Sequence, residues 1–165
     1  MPTVTIVGTG AITPLGATWS ETRRALLGGE VGPEEETIHD RPTRVSRVDQ
    51  SFEGDQPRFA QLARRALQDL PTRPLEREGP ALGLVASTSK GGLGKANPSI
   101  VTGSQNPGLW ASSLAGDVSR PIRKISSPNT ACATGLTALI QGSRWILDGT
   151  VEEVVVVATE SCFHP

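Results

Sequence analysis

The sequence predicts an α/β domain with a largely parallel sheet, and three observations carry that expectation. Residues Ala81 to Ser87 (Ala-Leu-Gly-Leu-Val-Ala-Ser) form a short continuous apolar run, the pattern of a strand covered on both faces. Phe59, Leu62, Ala63, Ala66, Leu67 and Leu70 recur at i, i+3, i+4, i+7, i+8 and i+11, one stripe of an amphipathic helix. Along the chain, expected strands and helices alternate from end to end. Parallel neighbours need such crossovers, because a tight hairpin joins only antiparallel strands.

The elements follow in order. Val4-Thr5-Ile6-Val7 is β-branched and reads as a first strand, ending in the glycine-flanked run Gly8 to Gly16. Thr18 and Glu21 form a capping box that opens a helix through about Leu27, which Gly28-Gly29 stops. Residues 30 to 56 carry charge, proline and glycine without either period. They read as a long surface loop with a short strand around Val45 to Val48. Pro57 suits the first position of the amphipathic helix, and Pro71 and Pro74 end it. Residues 88 to 119 are rich in Gly, Ser and Asn, with a short helix over Pro107 to Leu114. Arg123 to Ser127 reads as a strand, and Glu153 to Thr159 as another.

Bulk properties exclude several functions. A chain of 165 residues fits one domain, and a globule of this size buries roughly 70% of its extended surface. The net charge is −1 with mixed signs, so no basic footprint points to nucleic acid. The two cysteines, Cys132 and Cys162, are too few for a disulfide framework. No apolar run approaches the ~20 residues of a membrane span, and Met1 leads into a strand rather than a signal peptide. The expected setting is soluble and cytoplasmic. Neither glycine-rich run calls for a cofactor. In Gly8-Thr9-Gly10, Thr13 stands where a dinucleotide fingerprint has its third glycine, and Gly91 to Lys95 lacks P-loop spacing. No metal motif is present.

Chemistry concentrates at Cys132. Pro128-Asn129-Thr130-Ala131 leads into Cys132, and Leu136, Ala138, Leu139, Ile140, Trp145, Ile146 and Leu147 follow before Asp148-Gly149. This places the thiol at the first turn of an apolar helix. Free N–H groups and the positive dipole end there favour a thiolate, a nucleophile suited to acyl transfer. A lone cysteine is otherwise most often a small packed hydrophobe, and Cys162 reads that way. The helix is apolar or small on nearly all sides, with Gly135, Ala138 and Gly142 allowing close approach. Such a helix is expected to be buried all round.

Thr130-Ala131-Cys132 with Gly135, then Trp145, Asp148-Gly149 and a strand running into Glu160-Ser161, resembles the active-site region of the β-ketoacyl synthases of the thiolase superfamily. The opening strand, glycine-flanked turn and Pro14-Leu15-Gly16 resemble the start of the same enzymes. The resemblance implies the N-terminal half of a thiolase-like fold over residues 1–165, with Cys132 as the nucleophile acylated from an acyl carrier protein. Ala158-Thr159 departs from the glycines usual in that family.

It also implies a missing half. Ketosynthases are roughly twice as long. Their second half supplies two histidines, or a histidine and an asparagine, that stabilise the enolate, together with a gate loop. His39, in a charged loop, and His164, near the terminus, do not replace them. The resemblance further implies one sheet where the full fold has two. Glu153 to Thr159 is then left as an open edge, and the helix shows a bare strip that includes several of Leu136, Leu139, Ile140, Ile146 and Leu147. Leaving three or four such side chains in water forfeits about 5–12 kcal/mol. A complementary chain carrying the second half, a full-length ketosynthase, or self-association is expected to cover them.

Three functions compete. The first is half of a carbon–carbon condensing acyltransferase in fatty acid or polyketide synthesis. The second is a non-catalytic ketosynthase-derived subunit that binds and shapes a full-length synthase. The third is a thioesterase or simple acyl transferase, which needs a base the sequence does not offer.

Overall fold

A computed structural model of the chain describes residues 2–29, 34–38, 40–48, 58–70, 79–89 and 107–160. In chain order the elements are α1 (Trp19–Gly28), β1 (Glu34–Ile38), β2 (Arg41–Val45), α2 (Arg58–Gln68), β3 (Leu82–Ser87), α3 (Pro107–Ala115), β4 (Ile122–Ser126), α4 (Thr134–Leu147) and β5 (Glu153–Ala158). A short 3₁₀ turn, Ala131–Ala133, precedes α4.

Three strands form the parallel sheet, in the order β4-β3-β5. β3 runs down its middle and is buried along its whole length, as its unbroken apolar run requires. Its side chains alternate between faces. Leu82, Leu84 and Ala86 pack with Phe59, Ala63 and Leu67 of α2 and with Trp110, Ala111 and Leu114 of α3. Phe59 and Trp110 meet edge to face with ring centroids 5.3 Å apart. On the other face Val85 packs with Ala138 and Trp145 of α4 and with Val151. α4 lies close to the sheet because two glycines give it room. A Cβ at Gly83 would stand 2.9 Å from the Trp145 ring, and one at Gly142 would stand 3.0 Å from Val154 Cγ1.

At the amino ends of the strands the buried Arg120 acts as a tie. Its Nη1 donates to Glu153 Oε2 at 2.7 Å, and its Nη2 donates to the Pro80 carbonyl. At the opposite side, Thr159 Oγ1 donates to the Phe59 carbonyl at 3.0 Å and joins β5 to α2.

α1 begins at Thr18, whose hydroxyl accepts from Glu21 N–H at 3.2 Å, and it ends at Gly29 with φ 69°. Glu21 reaches back to the Ala17 N–H at 2.8 Å rather than to that of Thr18, which moves the box one residue toward the N-terminus. Asp69 Oδ2 accepts from the N–H of Ala11 at 3.0 Å and of Trp19 at 2.5 Å. A single carboxylate therefore anchors the N-terminal segment to the end of α2.

Two expectations are overturned. Val4 to Val7 is not a strand: the only bridge there joins Thr13 and Gly16, and Ile6 and Val7 stand 71% and 79% exposed. β-branched residues favour strands only where a neighbour supplies pairing and cover, and no strand of the sheet lies against these. The stretch read as a long loop contains the antiparallel hairpin β1–β2, with Glu35 opposite Arg44. Arg47 Nε donates to Glu36 Oε1 at 2.5 Å in a two-pronged ion pair. That pair ties β1 to the residues just after β2, and the ribbon carries no apolar alternation to read. Among the described residues no helix is long and apolar enough to cross a membrane.

Candidate active site

The position of the site follows from the sheet order. The chain leaves β3 through α3 on one face, and it leaves β4 through α4 on the other. Where the helices after two neighbouring strands diverge in this way, a crevice opens at the carboxyl ends of the strands, the usual ligand position in open α/β sheets. Ser89 after β3, Asn129 after β4 and Glu160 after β5 meet at that end. Cys132 stands beside them in the 3₁₀ turn, exposed to solvent.

The turn before α4 is tightly bonded. Ala131 has φ 50°, a left-handed backbone that costs a residue with a Cβ of order 1 kcal/mol. Its N–H donates to Asn129 Oδ1 at 3.2 Å. The Thr134 hydroxyl accepts the Thr130 N–H at 2.9 Å and donates to the Ala131 carbonyl at 2.5 Å. The Thr137 hydroxyl donates to the Ala133 carbonyl at 3.1 Å, so the 2.8 Å contact between Thr130 and Thr137 runs from the Thr130 hydroxyl. Three threonines thus brace the backbone on both sides of Cys132. None of them caps α4 from its first position, where Ala133 stands without a side-chain bond.

Below the turn, Ser89 N–H donates to Glu160 Oε2 at 3.0 Å and the Ser89 hydroxyl donates to the same oxygen. Asn129 Nδ2 donates to the Ser89 carbonyl at 3.4 Å. Alongside, a cleft of about 450 Å³ runs between α4 and β4, lined by Lys124, Thr137, Ile140, Gln141, Arg144, Trp145 and Asp148. Lys124 Nζ lies 4.8 Å from the centre of the Trp145 ring, within cation–π range. Hydrogen bonds from Thr150 hold the Asp148 carboxyl below its ordinary value.

Cys132 lies in the 3₁₀ turn just before α4, one residue ahead of its N-cap Ala133, rather than in the first turn of the helix, and the helix is not buried all round. Its buried side is Thr134, Ala138, Gly142 and Trp145, while Leu136 (63%), Leu139, Ile140 and Leu147 are exposed. Ile146 is partly buried against the α4-side core. One sheet can cover only one side of a helix, so an all-round apolar sequence leaves an apolar outer face. Among the described residues β5 is an edge strand, as expected, and so is β4. His39, Cys162, His164 and the Gly91 to Lys95 run lie outside the described residues. Sequence reasoning gave no role to Ser89 or Asn129, and quoted Glu160 only as part of a pattern. Their connection spans residues far apart in the chain and leaves no local signal. The chain matches no known protein family and no curated protein.

Proposed function

We propose that this chain is a ketosynthase-like acyltransferase component in which Cys132 is the acylated nucleophile. The observation that carries this is the exposed Cys132, next to the left-handed Ala131, at the carboxyl ends of three parallel strands. The motif around it supplies the family likeness, thiolase-like in fold. The Cys132 thiolate attacks the thioester carbonyl of an acyl carrier protein and a C–S bond forms. The carrier's own C–S bond then breaks, and the carrier leaves as its thiol, taking up the proton that Cys132 gave up. Groups outside these residues stabilise a malonyl-derived carbanion. The exposed apolar face of α4 supports a partner chain.

The same face supports a second reading, a non-catalytic subunit seated on a full-length synthase. Incubation with an acyl thioester followed by peptide mass mapping separates the two. The catalytic reading expects the adduct on Cys132 and not on Cys162, and its loss in Cys132→Ala. Equal labelling of both cysteines in the folded chain defeats it. The purified chain alone is expected to form no β-ketoacyl product, because removing even one preorganised donor costs about 10²–10³ in rate.

A further inference from the structure

Residues at three strand ends, the side chains of Glu160 and Asn129 and the main chain of Ser89, form a hydrogen-bonded path to the residue just before Cys132. Glu160 Oε2 accepts both the N–H and the hydroxyl of Ser89. The Ser89 carbonyl accepts Asn129 Nδ2 at 3.4 Å, and Asn129 Oδ1 accepts the Ala131 N–H at 3.2 Å. The path ends on one of only two residues, other than glycine, described with positive φ. We propose that Glu160, Ser89 and Asn129 are positioning residues that hold Ala131 left-handed and so fix the place of Cys132 at the carboxyl ends of the strands. This rests on the acyl-transfer reading for its purpose, though not for its geometry.

The physical case is that left-handed backbone at a residue with a Cβ must be held from outside. Ala131 has no side chain to hold itself. Its N–H and its carbonyl are both held, by Asn129 and by Thr134. Thr134 belongs to α4 and follows the helix wherever it goes. Asn129 does not, and through Ser89 it refers the turn to the sheet. Its amide is suited to this because it donates and accepts at once. Glu160 in turn fixes the Ser89 peptide between β3 and β5, so all three strands contribute to the place of one thiol. Acyl transfer needs that precision, since a displacement of about 1 Å can cost ~10²-fold in rate.

The path makes no demand on the charge of Glu160. It needs only an acceptor oxygen, which Glu160→Gln retains and Glu160→Ala removes. Asn129 is exposed, so Asn129→Ala tests the path without disturbing the core.

The direct measurement is NMR of the full chain, reading the Ala131 ¹³C shifts and its HN–Hα coupling. Wild type and Glu160→Gln should show the left-handed signature, and Asn129→Ala and Glu160→Ala should lose it while their melting curves remain cooperative. Persistence of the signature in both alanine variants overturns the proposal, as does its loss in Glu160→Gln. A second measurement compares acylation of Cys132 by an acyl thioester with alkylation by iodoacetamide. The alanine variants should acylate about 10–100-fold more slowly, with alkylation little changed; an equal fall in both overturns positioning. Absence of acylation in wild type defeats the acyl-transfer reading and leaves the Ala131 signature to decide the path.

Discussion

The two faces of the central sheet are built to different degrees of completion. On one face α2 and α3 together close over Leu82, Leu84 and Ala86, and Phe59, Trp110, Ala111 and Leu114 interlock above them with almost no exposure. On the other face α4 is the one helix among the described residues, covering Val85 through Ala138 and Trp145 and turning Leu136, Leu139, Ile140 and Leu147 outward. The finished face supplies stability to the domain. The unfinished face carries the thiol, the threonine-wrapped turn and the apolar strip. Core and working surface are thereby separated by one layer of strands, so change on the α4 side need not unfold the chain.

The largest expected effect tests that separation. Leu84→Ala, on the finished face and fully buried, should cost about 2–5 kcal/mol in urea unfolding. Leu139→Ala, on the outer side of α4, should stay within about 0.5 kcal/mol of wild type. Comparable losses at the two positions would mean that α4 is covered in solution. Next in size is association. The chain is expected to self-associate through the exposed strip, and Leu136→Lys with Ile140→Lys should shift it toward a monomer near 17.4 kDa by light scattering without lowering its melting temperature. A wild-type chain already monomeric and cooperative would remove the case for a covering partner.

The smallest effect concerns acid. The Asp148 carboxyl at the end of α4 is held below its ordinary value by its bonds to Thr150, and that of Glu36 by its bond to Arg47. A folded-state pKa below the unfolded one gives stability that is present above the unfolded value and lost as pH falls through the folded value. Asp148→Asn should therefore flatten the acid limb of an α4-reporting Trp145 signal, and Glu36→Gln should leave that signal unchanged. The reverse assignment would place the acid-sensitive contact on the hairpin.

Much of this was legible in the sequence because it is local. The stripe from Phe59 to Leu67 sets α2, and Thr18 with Gly29 bounds α1. The unbroken run at β3 announces a strand covered on both faces, as it proved to be. That Cys132 lies close to the start of an apolar helix was legible for the same reason, although the intervening 3₁₀ turn was not.

What tertiary structure alone decided is everything that needs two distant segments to meet. Val4 to Val7 has strand composition and no partner, so it is not a strand. Glu34 to Ile38 has poor strand composition and becomes one, because Arg41 to Val45 lies antiparallel beside it and supplies the pairing. α4 is apolar on nearly every side, yet which residues are buried depended on how many sheets were there to cover it. The Glu160–Ser89–Asn129 path likewise exists only because β3, β4 and β5 end together. Side-chain period and capping are properties of a few consecutive residues. Strand pairing, burial and convergence at a site are properties of neighbours that the chain brings together only by folding.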